Sequence, residues 1–244
     1  MSHDTYVAVL AAMKREVAPF LEIMQGVRRK RQRGCMIWEG SYSGVQVHVI
    51  TAGIASEHPT ELLQGCAAII STGFCGALHE DLGTGDVVLS YSVAHADREL
   101  INRILNSAAV SGMYDGSGIF DISVDEKLAM ILTDVVSKEH SRLHTGRTVS
   151  CDRVIRNNRE KQKVGSYFDA LAVDMEDFGR IAVARQLRVP VLCCRAILDN
   201  IEDSVPGPWS GTGPRKLSKL LAKIPPAQQG IRSALSALVP VFCA

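Results

Sequence analysis

The chain has 244 residues, of which 46% are hydrophobic and 22% charged, with a formal net charge of +1. That length supports a sizeable core in a single domain, 1–244, and the near-zero charge balance gives no electrostatic case for a nucleic-acid partner. No apolar run approaches the roughly 20 residues that span a bilayer, the N-terminus shows no leader pattern, and seven cysteines without a CxxC pair point to reduced thiols in a cytoplasmic protein without a disulfide framework or a metal site.

"YVAVLAA" (Tyr6 to Ala12) is a short apolar strand, and "MKREVAPFLEIM" follows with Val17, Phe20, Leu21 and Met24 at helical spacing. The run Arg28-Arg29-Lys30-Arg31-Gln32-Arg33 is the one local exception to the charge balance and reads as a solvated loop or turn. "CMIWEG" and "VQVHVITAG" read as two strands of a hairpin around Ser43-Gly44. "HPTELLQGC" reads as a helix opened by Pro59, "AAIISTG" as a buried strand ending in glycine, and "DVVLSYSV" as the next strand.

Further along, "VDEKLAMILTDVVSK" is an amphipathic helix and "HTGRTVSCDRVI" a strand with a loop. "ALAVDM", "EDFGRIAVARQL" and "VPVLCCRAIL" form a strand–helix–strand unit, the last strand bounded by Pro190. Two tail helices, Arg215 to Lys223 and Ala227 to Leu238, are separated by Pro225-Pro226. Strands alternating with helices predict an α/β fold with a parallel or mixed central sheet covered on both faces. The loop "DSVPGPWSGTGP" lies after a strand, where ligands bind in such folds.

The acids mark where that ligand sits. Glu16 follows the first strand, Glu176 follows "ALAVDM" and Asp199 ends "VPVLCCRAIL". Three carboxylates at three carboxyl strand ends converge on one crevice if the crevice rule holds. Asp174 and Asp177 fit a helix start, and Arg195, in a buried strand, needs a carboxylate partner and reads as a structural ion pair. "STGFCGALHEDLGTGDVVLS" reads as a glycine-rich turn after a buried strand, where a backbone can approach a ligand. The forms GxxxxGK[ST] and GxGxxG are absent, so no nucleotide cofactor is expected. His48, His58, Cys75 and Cys151 read as packing residues.

The order of "LAAMKREV", "ISTGFCGAL...GDVVLS", "VSCDRVI", "AVDMEDFGRIAVA" and "PVLCCRAILD" resembles the nucleoside phosphorylase/nucleosidase superfamily from about Tyr6 to Asp199. The resemblance implies a three-layer α/β sandwich with a mixed, partly barrel-like sheet flanked by helices. It implies cleavage of the N-glycosidic bond of a purine or pyrimidine nucleoside without a cofactor, in a homodimer or larger homo-oligomer. Asp199 matches the acid that protonates the purine at N7, and Glu176 the group that binds the ribose hydroxyls. Met175 matches a residue packed on the sugar, with plain core packing as its alternative reading.

The acceptor, water or phosphate, turns on other positions. Phosphorolytic relatives of the hexameric type hold arginines at the positions matched by Glu16 and near Ser71, and a small hydroxyl residue near Phe74. An acid repels phosphate and can instead deprotonate water. The pattern therefore resembles the methylthioadenosine/S-adenosylhomocysteine nucleosidase branch, with Glu16 as the base, Gly73 of the glycine segment among the substrate-binding residues, and hydrolysis of a purine nucleoside or a 5′-substituted adenosine. Arg98 or Arg147 as phosphate ligands keep phosphorolysis as the alternative, and a non-catalytic nucleoside-binding protein is the third reading. Val154, followed by Ile155, stands where that branch has an aromatic, leaving Phe74 or Trp209 to clamp the base. The tail resembles that of hopanoid-associated nucleosidases, which implies an apolar 5′ substituent.

Overall fold

The computed structural model describes residues 5–54, 60–107, 119–122, 130, 134, 142–205 and 214–242, with the side chains of 214–217 excepted. Ten strands form one mixed sheet: β1 (Tyr6–Ala11), β2 (Gln25–Gln32), β3 (Cys35–Tyr42), β4 (Val45–Thr51), β5 (Cys66–Ala77), β6 (Val87–Ala96), β7 (Ile119–Asp121), β8 (Leu143–Cys151), β9 (Ala172–Asp174) and β10 (Val191–Asp199). The described helices are α1 (Lys14–Leu21), α2 (Arg98–Asn106), α3 (Asn158–Phe168), α4 (Asp177–Leu187), α5 (Pro214–Leu221) and α6 (Ile224–Val241).

Pairing closes five of the strands into a ring. β5 pairs β10, β10 pairs β6, β6 pairs β8, β8 pairs β9, and β9 returns to β5. This is the barrel-like core, and the sheet continues outward from β5 through β1, β4 and β3 to the edge strand β2. β1 is buried on both faces. Val7, Val9 and Ala11 join Val17, Phe20, Ile231 and Leu235 in one apolar cluster, while Tyr6, Ala8 and Leu10 join Leu62, Leu63 and Ala184 in another. Alternation of this kind, with apolar cover on each side, gives the three-layer α/β sandwich.

Several local expectations change. The basic run is not a loop: Arg28 to Gln32 lie in β2, which pairs β3 and is exposed at every position. Neither face of this edge strand packs on a core, so its sequence lacks the alternation by which a strand is recognised. The glycine-rich segment is likewise not a turn, because β5 runs unbroken through Gly73 and Gly76. Pro59 lies outside the described residues, and the segment after it forms only a 3-10 turn, Thr60–Leu62, not the longer helix expected. Pro225 and Pro226 do not separate the tail helices but occupy the first turn of α6, where a missing N–H costs nothing. The helix expected over Val124 to Lys138 falls, apart from Met130 and Asp134, outside the described residues.

The Ser43-Gly44 turn has φ of 49° and 83°, the left-handed pair that a tight two-residue hairpin requires. His48 sits in β4 with its ring stacked on Tyr6 at 3.7 Å, a packing role.

α6 packs against the barrel through glycine. A Cβ on Gly230 would lie 2.6 Å from the Gly85 carbonyl oxygen and 3.2 Å from Val87. In an unconstrained helix interior, alanine is favoured over glycine by about 1 kcal/mol. Here the clash is with backbone, so Gly230→Ala is expected to destabilise by about 1–3 kcal/mol, read from the midpoint of urea denaturation.

Candidate active site

Three strand ends of the sheet deliver their carboxylates to one cavity of about 190 Å³, lined by Glu16, Phe74, Met175, Glu176 and Asp199 among others. Its apolar lining includes Met13, Ile54, Val154, Ile155, Leu198 and Val205. Gly73 does not line it but lies directly behind: a Cβ there would stand 2.9 Å from Glu16 Oε1 and 3.1 Å from Arg195 Nη1, and its φ is +146°. Gly76, which does line the cavity, makes room for Asp199, whose Oδ2 lies 3.0 Å from where a Cβ would be. Trp209 and His58 lie outside the described residues.

Glu16 stands in the first turn of α1. Its Oε2 accepts from the Met13 backbone N–H at 2.7 Å and its Oε1 from the Phe74 N–H at 3.1 Å. The first bond caps α1 from within, as acids at that position do. The second ties the helix to β5. Burial pushes the Glu16 carboxyl above its ordinary value against these two N–H donors and against Arg195, which makes the carboxylate a stronger base.

Glu176 is the N-cap residue of α4. The cap itself is supplied by Asp174, whose Oδ1 accepts from the N–H groups of Glu176 and Asp177 at 2.7 and 2.8 Å and from the Ser150 hydroxyl at 2.8 Å. Ser150 in turn accepts from the Phe178 N–H at 2.9 Å. This leaves the Glu176 carboxylate free of capping duty, and it accepts instead from Arg195 Nη1 at 2.9 Å.

Arg195 is the hub that was expected to be a structural pair. Its Nε and Nη2 donate to the two oxygens of Asp177 at 3.0 and 2.6 Å, and Asp174 Oδ1 lies 3.6 Å away. A bidentate guanidinium–carboxylate pair is the strongest form of this contact. Burial alone would raise Asp177, but Arg195, Arg180 and the Ser71 hydroxyl hold it below its usual value. Asp174 goes the other way: burial, then the charge of Asp177, pushes it to about 7. Its Oδ2 has no hydrogen-bond partner among the described residues.

Residues not singled out from sequence complete the site. Buried Arg180 donates to the Ser71 hydroxyl and to the carbonyls of Leu10 and Thr72, while Ser71 donates to Asp177 at 2.5 Å. Lys161 is wholly buried, and its Nζ lies 2.6 Å from Asp199 Oδ2. The signal for its helix is Asn157 followed three residues later by Glu160, and Asn157 does cap α3 by accepting from the Glu160 N–H at 3.0 Å.

Asp199 is raised by burial, which Lys161 opposes. Cys75 lines the cavity beneath it, and burial pushes that thiol well up, as suits a packing residue. Arg98 and Arg147 do not line the cavity. Arg147 is spent on the Ser92 hydroxyl and the Phe168 carbonyl at 3.2 and 2.7 Å. The arginine that does line it, Arg153, is paired with Glu160 at 3.0 Å.

Comparison with known proteins agrees with this architecture. Residues 6–220 match the family model described as the Phosphorylase superfamily. A 5′-methylthioadenosine/S-adenosylhomocysteine nucleosidase of Bacillus velezensis is 28% identical over 200 residues, covering 79% of this chain and 84% of that one. An aminodeoxyfutalosine nucleosidase of Campylobacter jejuni is 26% identical over 199 residues, covering 79% and 85%. The solved structure of the futalosine hydrolase of Helicobacter pylori superposes with a TM-score of 0.75 at 22% identity, covering 99% of this chain and 100% of that one. The methylthioadenosine/S-adenosylhomocysteine nucleosidase of Neisseria meningitidis, in complex with methylthio-immucillin-A, superposes with a TM-score of 0.72 at 21% identity over 96% and 100%. With its closed five-strand core and a family match along most of its length, the chain belongs to the phosphorylase superfamily.

Proposed function

We propose that this protein is a nucleosidase that hydrolyses the N-glycosidic bond of a purine nucleoside or a 5′-substituted adenosine. The observation that carries this reading is the meeting of Glu16, Glu176 and Asp199, all buried, around one cavity. The names of its relatives, nucleosidases acting on adenosine derivatives, support it.

The chemistry divides among the three acids. As the glycosidic bond stretches, the sugar becomes oxocarbenium-like and the base gathers negative charge. Asp199 donates a proton to the purine N7, and its upward shift keeps that proton available. Glu176 accepts from the ribose hydroxyls, held in place by Arg195, and its negative charge favours the cationic sugar. Glu16 orients a water molecule and takes its proton as the oxygen attacks the sugar carbon. Met175 packs against the sugar. Phe74, Val154 and Ile155 enclose the base, and Ile54 and Val205 offer apolar surface to a 5′ substituent. Water is the acceptor in this reading because a carboxylate beside a phosphate dianion is repulsive, the more so where water is excluded. The reading extends to a cytoplasmic homo-oligomer needing no cofactor, as the family resemblance implies.

A nucleoside panel that includes methylthioadenosine, with the products identified, tests the reaction. Free base and free sugar are expected at the same rate with and without phosphate. Strict phosphate dependence, with a sugar 1-phosphate as product, would refute hydrolysis. Glu16→Gln is expected to abolish turnover while leaving nucleoside binding, measured by calorimetry, within a few-fold of the parent.

The acid and the sugar ligand have separate signatures. Asp199→Asn is expected to lower turnover at least about 100-fold in a folded protein, and near-normal turnover would remove Asp199 from the role. Glu176→Gln keeps the shape and loses the charge, so it should lower kcat more than it raises KM. An effect on KM alone would make Glu176 a mere ground-state binder.

A further inference from the structure

Lys161 occupies an expensive place. It lies in the first turn of α3, where a helix disfavours a cation, and none of its side chain is exposed. Its three donor protons have three acceptors: Asp199 Oδ2 at 2.6 Å, the Asp203 carbonyl at 3.2 Å and the Asn200 carbonyl. The ammonium thus gathers the end of β10 and the chain just after it around one point. The loop leading into α3 supplies Arg153, Val154 and Ile155 to the cavity, so the same helix start carries both the cavity wall and the cation beneath Asp199.

The contact is one-sided. Lys161 approaches Asp199 through Oδ2, and this contact does not involve Oδ1. A carboxyl held through one oxygen has fewer orientations open to it, and the other oxygen is left to the cavity that Asp199 lines. We propose that Lys161 is a positioning residue for Asp199, fixing the carboxyl through Oδ2 and presenting Oδ1 to the leaving base. The proposal rests on the reading that Asp199 is the acid.

Such a contact has an electrostatic consequence. The charged groups that face Asp199 are Lys161 from α3, Asp203 from the following loop and Lys223 from the start of α6, with the Cys75 thiol of β5 close by. Burial and Asp203 push Asp199 up, while Lys161 and Lys223 pull it down. A buried carboxyl with no cation beside it would hold its proton too firmly to give it up easily, and one with a cation too close would have none to give at neutral pH. The pair sets the balance. Removing the charge of Lys161 raises the acid, so the proton is retained to higher pH. The limb of kcat/KM that falls on the alkaline side then moves up, not down.

The test measures kcat/KM against pH for Lys161→Met, Lys161→Arg and the parent, using the nucleoside that the parent cleaves fastest and following base release by chromatography. Lys161→Met is expected to lose about 10- to 100-fold in kcat at neutral pH through misplacement of the acid. Its alkaline limb is expected about one pH unit or more above that of the parent, the scale of losing an adjacent opposite charge. Lys161→Arg is expected to keep the limb in place and recover most of the rate. An alkaline limb at the parental position in folded Lys161→Met would overturn the proposal, as would loss of all activity in Lys161→Met without recovery in Lys161→Arg. Should Lys161→Met not fold, Lys161→Gln is read in the same way, and failure of both to fold would make Lys161 a core residue only. Asp199→Asn run in parallel separates the two ideas. A slow Asp199→Asn variant with an unmoved limb in Lys161→Met refutes the role of Lys161 alone, while a fast Asp199→Asn variant refutes the acid itself.

Discussion

One buried guanidinium makes the rest of the site possible. Glu176, Asp177 and Asp174 crowd the start of α4, and without a cation between them their mutual repulsion in a dry interior would drive protons on or the chain apart. Arg195 supplies that cation from β10, opposite Gly73 of β5. Because Gly73 has no side chain, the guanidinium and the Glu16 carboxylate both take up the space a Cβ would need. Three elements that are distant in sequence, α1, α4 and β10, are registered to one another at this place. A residue read from sequence as merely structural is thus also what holds the Glu176 carboxylate still.

The same burial acts differently on each acid because the partners differ. Asp177, doubly bonded to Arg195, is held ionised. Asp174 gives one oxygen to helix capping, faces the charge of Asp177, and moves toward the neutral form. Glu16 and Asp199 sit between, each raised by burial and each restrained by a small set of donors or cations. A site that needs a base and an acid at one pH is built by such divergence of environments rather than by different residue types. The network behind the cavity, from Ser71 through Arg180 to the Leu10 carbonyl, fixes the backbone from which these groups project.

Much of the plan was legible in the residues. Glu16, Glu176 and Asp199 are legible as acids at or shortly after the ends of apolar strand runs. The family resemblance assigned them separate tasks, which spacing alone does not. What stayed hidden has physical causes. Lys161 reads as an ordinary surface lysine in "NNREKQK" because nothing local reveals that its helix turns that face onto β10. Arg180 is similar, since its partners are separated from it by more than one hundred residues. β5 looked as if it ended at Gly73 because glycine usually stops a strand. Here glycine is required by what presses on the strand from either side. α2 and α3 are hard to read from sequence although Asp97 and Asn157 cap them, because their polar starts outweigh their short apolar stripes.

The five strands of the barrel close on one another, whereas the far end of the sheet finishes in β2. A bare edge invites another strand to dock on its unpaired backbone groups, and a row of like charges is a common defence. In β2 the series Arg28, Arg29, Lys30 and Arg31 lies in the open, with Lys30 balanced by Glu39 at 2.5 Å. Two copies approaching edge to edge would bring these cations face to face, which disfavours pairing at this margin, most of all at low ionic strength. Pairing of two copies through β2 is therefore disfavoured on electrostatic grounds.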